Sequence, residues 1–195
     1  MCGRYAIFAP PQKLKDLFGT ENLLELPPRY NAAPGQELPV IVHNRAGLAS
    51  WGFGDMINAR SETVSEKPLF RESWHRRRRC LIPANGFYEW KDKQPFFINR
   101  PDQNCLALAG LWLKEKDGVK FVILTKAADG AIKYLHERMP VILRPDQANE
   151  WFSGDEVRAR ELIALANAND LLFHPVDRSV GRVANDDETL IRAVS

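Results

Sequence analysis

The stretch "RCLIPANGFYEWK", residues 79–91, constrains the fold more than any other part of the chain. Two runs of β-favouring residues flank an Asn-Gly pair, the strongest short-range signal for a hairpin. The same reading extends in both directions. "GRYAIF", "LPVIV", "GLASWGF", "INARSET", "PFFINR", "CLALAGLWL" and "KFVILTK" read as strands, with Asp117-Gly118 turning the chain between the last two. "RYNAAPGQ" reads as the loop that leads into "LPVIV". Thirteen scattered prolines suit short strands joined by turns. Helices are few and short. "PPQKLKDLFG" has a glycine where its C-cap belongs, and "ADGAIKYLHERMP" gives one or two turns that stop before Pro140. "RPDQANEWF" follows, then "SGDEVRARELIALANA", opened by Ser153 and Glu156 in capping-box spacing. The tail returns to an extended "LLFHPV". This pattern predicts one α+β domain over residues 1–195, a curved, mostly antiparallel, barrel-like sheet with short peripheral helices.

A chain of 195 residues can bury such a core, and 45% hydrophobic with 27% charged residues is ordinary for a globular domain. The formal net charge of +2 does not announce a nucleic-acid partner, so charge placement must decide. No apolar run approaches the ~18 residues of a membrane span. The opening "MCGRYAIFAP" lacks the apolar region and cleavage site of a signal peptide. Cys2, Cys80 and Cys105 lack metal-ligand spacing, so no metal or cofactor is expected, and free thiols in a reducing cytoplasm are the simplest case. Cys80 and Cys105 border apolar strands and read as packing residues.

Cys2 is different, because it stands too near the terminus to anchor much core. Removal of Met1 before a small residue would leave its α-amine free beside its thiol. An α-amine titrates at about 7.7–8.0 and is partly nucleophilic near neutral pH. A thiol at ~8.5 falls beside a cation, and Arg4 is on hand to supply one. Two chemistries follow. Amine and thiol can condense with an aldehyde to an imine and then a thiazolidine, or the thiolate can attack an acyl group with the amine as base. A small buried residue at a strand end is the ordinary alternative.

Further polar residues could surround it. Asn58, Arg60 and Glu62 alternate in "INARSET" and would share one strand face, suited to anions or to a solvated edge. Glu89 lies between Tyr88 and Trp90, where desolvation would raise its pKa into proton-carrier range. His136 ends a short helix and could shuttle protons. The run Arg76 to Arg79, with Arg4, Arg60, Arg138 and interleaved aromatics, has the composition of a single-strand nucleic-acid surface or of a solvated face.

In order along the chain, "MCGRY", "RYNAAPGQ", "WGF", "NARSET", "RCLIPANGFYEW", "LAGLW", "ILTKAAD" and "HERMPVIL" resemble the SRAP domain family, the SOS-response-associated peptidases. The resemblance covers residues 1 to about 152 and continues faintly through "FHPV" and "NDD". It implies a protein that self-trims Met1 and captures abasic sites in single-stranded DNA as a Cys2 thiazolidine. Asn58 would orient the cysteine and sugar, Glu89 would exchange protons with amine and imine, and His136 would act in ring opening or reversal. Arg4, Arg60, Arg138 and Thr125 would contact phosphates. Asn31 and Pro34 would shape the groove, and Trp51 and Trp90 would pack on nucleotides. A cytoplasmic, nucleoid-associated monomer with no membrane partner is the expectation. One departure stands out: "WGFGDMINAR" is shorter than the family's usual stretch, which bears on a base-stacking wedge and not on the covalent chemistry. The rival readings are a thiol peptidase or N-terminal-nucleophile amidohydrolase using Cys2, and a noncovalent single-strand binder.

Overall fold

The computed structural model describes residues 2–194. Its strands are β1 (Tyr5–Ile7), β2 (Arg29–Ala32), β3 (Glu37–Val42), β4 (Arg45–Trp51), β5 (Asn58–Arg60), β6 (Arg79–Ala84) and β7 (Gly86–Lys91). They continue as β8 (Gln94–Asn99), β9 (Leu106–Glu115), β10 (Gly118–Ala127), β11 (Arg138–Pro140), β12 (Ile142–Leu143) and β13 (Leu172–Pro175). The helices are α1 (Pro11–Phe18), α2 (Pro68–His75), α3 (Ala148–Ser153) and α4 (Glu156–Leu165).

The strands form two sheets, as a mixed α and β chain with a curved sheet. The larger closes on itself: β10 pairs β4, β4 pairs β3, β3 pairs β6, β6 pairs β9, and β9 returns to β10. Most of these pairings are antiparallel, but β4 and β5 run parallel to β10. The smaller sheet has the order β13-β8-β7-β1-β2. Strand alternation divides its side chains cleanly. Phe87 and Ile98 join the barrel's apolar core, whereas Tyr88 and Phe97 pack on the other face with Val176, Val180 and Leu190 of the C-terminal segment. That segment is tied down by Asp186, whose Oδ1 accepts from the Tyr30 and Asn31 amides at 2.6 and 2.9 Å.

Several expectations need correction. The Asn-Gly pair is not a hairpin turn, because β6 and β7 belong to different sheets and do not pair. The Asn85 side chain instead accepts from the amides of Phe8 and Ala9 at 2.8 and 3.0 Å, capping the end of β1. Gly86 is needed for space: a Cβ there would lie 2.4 Å from Phe97 Cζ and 2.6 Å from the Ile98 carbonyl oxygen. The first half of "RYNAAPGQ" is strand β2, because Arg29–Ala32 pairs with β1. "INARSET" is strand only through Arg60, and Glu62 falls in the turn beyond it.

The helical readings shift too. Gly19 does end α1 in the left-handed conformation, φ 64°. α4 is opened by Asp155, whose side chain accepts from the Arg158 amide, while the Ser153 hydroxyl donates to the Asn149 carbonyl. The turns before His136 are a 3-10 helix, Gly130–Tyr134, and Pro140 lies in edge strand β11, where its missing N–H disturbs little. Within the arginine run, Arg79 is fully buried between Trp74 and Trp151, and Arg77 donates to the Ser153 carbonyl. No helix among the described residues is long and apolar enough to cross a membrane.

Candidate active site

Two sheets contribute to one polar cluster inside an otherwise apolar core. Cys2 precedes β1 and is fully buried, with its Sγ 4.0 Å from the Arg4 carbonyl. Asn58 begins β5, and its Nδ2 donates to the Cys2 carbonyl at 2.9 Å. β5 reaches this point because it is paired in parallel to β10 at Ile123, Leu124 and Thr125. Among the described residues the Asn58 Oδ1 has no hydrogen-bond partner, an acceptor held in reserve at the cluster. A cavity of about 190 Å³, lined by residues 55–60 with Thr63, Lys67 and Phe70, opens beside Asn58. The apolar cavity of about 200 Å³ between α1 and β3 contains none of these groups.

Glu89 is only 2% exposed. Burial pushes its carboxyl above the ordinary 4.5, and the nearby His136 ring draws it partly back. His136 accepts the Arg138 amide on Nδ1 at 2.9 Å, so its neutral ring carries the proton on Nε2. The Cys2 thiol is pushed up strongly, first by burial and then by the charge of Glu89. The Arg4 charge is not among the causes that act on this thiol, against expectation; of Arg4 only the backbone hydrogen bond lowers it. The Arg4 guanidinium turns away to Asn31 Oδ1 at 3.2 Å and to the Val180 carbonyl at 2.9 Å.

The remaining residues sort by what they touch. Asn31 is buried, and its Nδ2 spans the carbonyls of Val180, Arg182 and Asn185. Pro34 is exposed in the turn between β2 and β3, and Arg60 is exposed at the end of β5. Arg138 is buried and forks onto Glu62 at 2.6 and 2.9 Å, with Nη2 also donating to the Thr125 carbonyl and hydroxyl. Thr125 is itself fully buried. Trp51 is 1% exposed, stacked on Phe121 and against Tyr5, and its indole N–H donates to the Ile57 carbonyl. It offers no face to a nucleotide here and props the segment leading to Asn58. Trp90 is half-buried beside Tyr88. The expected loss of Met1 concerns a residue outside the described range.

Two contributors have parts that the sequence did not assign to them. Among the described residues the buried Tyr5 hydroxyl has no hydrogen-bond partner, and its pKa is raised well above 10.0 by burial, with Cys2 and Cys80 adding to the shift. Its position in "MCGRY" was on view, but only the fold places it near the sulfur. Glu62, read as a strand residue, is the fork that fixes Arg138 and is held below the usual carboxylate range by that hydrogen bond. Among the described residues no group of three or more His, Cys, Asp or Glu could hold a metal ion.

Residues 1–183 match the family described as SOS response associated peptidase (SRAP). The chain is similar to the abasic site processing protein YoqW of Bacillus subtilis strain 168, 33% identical over 224 aligned residues covering 99% of this chain and 100% of that protein. The abasic site processing protein YedK of Escherichia coli K12 is 32% identical, and the alignment covers 100% of both. Among solved structures, a Bacteroides thetaiotaomicron protein shares the fold with a TM-score of 0.85 at 20% identity, covering 100% of each chain. A Bordetella bronchiseptica protein superposes with a TM-score of 0.79 at 24% identity over 90% of this chain. With a family match that runs through nearly all of its length and two sheets that meet at Cys2, the chain belongs to the SOS response associated peptidase (SRAP) family.

Proposed function

We propose that this protein processes abasic sites in single-stranded DNA by covalent capture at Cys2. The observation that carries the reading is the convergence of Asn58 and Glu89 on Cys2, with His136 beside Glu89: the Asn58 amide grips the Cys2 carbonyl, and a buried carboxyl of raised pKa stands near the sulfur. Hydrolysis of the Met1–Cys2 peptide bond, performed by the protein on itself, frees the α-amine. That amine adds to the C1′ aldehyde of the ring-opened sugar, and loss of one water leaves an imine. The thiol then adds across the C=N bond: sulfur bonds to carbon, its proton ends on nitrogen, and a thiazolidine closes. A thiol that stays protonated in the resting site suits this sequence, because the amine attacks first.

Each neighbour has a defined task. Glu89, protonated more readily than a surface carboxylate, gives a proton to the departing hydroxyl and takes one back from the amine. His136 presents Nε2–H to the ring oxygen of the sugar. Asn58 holds Cys2 in register, and Oδ1 remains to accept from the sugar. Arg60 contacts phosphate directly, as an exposed cation beside Asn58. Arg4 and Asn31 brace the N-terminal strand, Arg138 and Thr125 brace His136, and Pro34 and Trp90 border the groove.

A single-stranded oligonucleotide with one abasic site, incubated with the protein and run on a denaturing gel, tests the reading. A shifted band is expected that vanishes in Cys2→Ala, in protein retaining Met1, and with a tetrahydrofuran analogue that lacks the aldehyde. Glu89→Gln and His136→Ala should slow capture or its reversal with binding retained. Binding without any denaturant-resistant band would leave a noncovalent binder instead.

A further inference from the structure

The face of the smaller sheet that carries Glu89 does not end there. By register Lys91 lies on the same face as Glu89, Phe96 sits opposite Glu89 on β8, and Phe173 sits opposite Ile98 on β13. Phe96 and Phe173 meet edge to face at 5.7 Å. Over this edge of the sheet lies Tyr134, the last residue of the 3-10 helix and two residues before His136. Its ring stacks on Phe173 at 6.2 Å and 10°, and the Lys91 Nζ rests 3.0 Å from its centre. Tyr134 is nevertheless 62% exposed. The resemblance to the family did not point to Tyr134, Lys91, Phe96 or Phe173.

We infer that Tyr134, backed by Phe173 and served by Lys91, is a stacking site for the nucleobase next to the lesion in a single strand. The inference rests on the proposed capture at Cys2 for its choice of nucleic acid. Three features favour that occupant. An exposed ring already stacked on a second aromatic is a rigid platform, and every base offers a π-face to it. An ammonium resting on that ring is a mobile counter-charge: when a base covers the ring, the flexible lysine stem carries it to the adjoining phosphate. The placement also fits, since Lys91 is two strand residues from Glu89, about 7 Å along the sheet, a span that one nucleotide of an extended strand can bridge. The platform thus continues the catalytic face, on a flank distinct from the Asn58 cavity lined by Arg60 and Lys67.

The test uses binding to tetrahydrofuran-containing single strands, which form no covalent bond. In one set all bases are present; in two others the base on the 5′ or the 3′ side of the lesion is replaced by a baseless spacer. Tyr134→Ala should weaken binding to the full strand by about 5- to 150-fold, and Tyr134→Phe should restore it. Wild type should lose a similar factor with the spacer on one side only, and Tyr134→Ala should not respond to that spacer. Lys91→Gln should reduce the slope of log affinity against log salt by ~0.7. Equal affinities for wild type and Tyr134→Ala, or an unaltered response to both spacers, would overturn the inference. So would self-association of the wild type that Tyr134→Ala abolishes with DNA binding unchanged. If wild type binds with the expected spacer response yet forms no adduct with a true abasic site, the capture chemistry fails and the stacking site stands.

Discussion

Replacement of Gly86 by alanine separates two accounts of the same dipeptide. In a hairpin turn, glycine would be wanted for a left-handed backbone, and alanine would cost about 1 kcal/mol. In the structure Gly86 lies in β7, and the penalty is steric. The new methyl would sit 2.4 and 2.7 Å from two ring carbons of Phe97 and 2.6 Å from the Ile98 carbonyl oxygen. Ordinary carbon contacts fall at about 3.5–4.0 Å, so a displacement of ~1 Å is demanded of a side chain and of paired backbone together. Phe97 is 2% exposed and packed against Tyr88, and the Ile98 strand is fixed by β7 on one side and β13 on the other. Overpacking of this kind costs about 3 kcal/mol or more. For a chain of this length that lowers Tm by about 6–12 °C. Thermal and urea unfolding at neutral pH measure it, with Gly47→Ala as control. Gly47 is also in a strand, but a Cβ there meets nothing within 4 Å, so that variant should be neutral or slightly stabilised. A Gly86→Ala variant as stable as Gly47→Ala would refute the steric argument.

Two more outcomes follow from buried polar groups. Because burial raises the Glu89 carboxyl in the folded state, its contribution to stability is fully present below the unfolded pKa, about 4.3, and is lost as pH rises through the folded value. Glu89→Gln should therefore match wild type near pH 4 and exceed it near pH 7.5 in urea unfolding, by a gap that grows with pH; a constant gap would show the carboxyl is not raised. Arg79 donates to the carbonyls of Trp151 and Gly154 at 3.0 and 2.7 Å, so Arg79→Met should cost about 3 kcal/mol by leaving them unpaired. Capture by that variant should persist below its lowered Tm, and an unchanged Tm would show that the carbonyls find other donors.

The strands were legible because each is a short run of β-branched, aromatic and aliphatic residues between turn formers. Their partners were not. Asn85-Gly86 carries the local chemistry of a turn, yet the Asn85 amide is spent on the end of β1, a contact some seventy-six residues away in sequence that no window of a few residues contains. The four residues of the cluster were candidates by their chemistry, but spacing alone left Cys2, Asn58, Glu89 and His136 each with an ordinary alternative, and only the resemblance joined them. Arg79 was hidden among like charges, since nothing local distinguishes the one guanidinium that lies between two indoles. Trp51 was misplaced for a related reason: an aromatic near a polar motif suits a base or a core equally well, and only its donation to the Ile57 carbonyl decides. Tyr134, Lys91 and Phe173 went unnoticed because they come from three separate elements.

The division of the cluster between two sheets has a temporal consequence. Cys2 and Glu89 belong with the smaller sheet, Asn58 is placed by the barrel, and the barrel cannot close until β9 and β10 have been made. A ribosome therefore releases Cys2 first, and the strand that holds Asn58 in place, β10, ends only at Ala127. The cluster around Cys2 is thus a product of the finished tertiary structure and of no shorter piece of the chain.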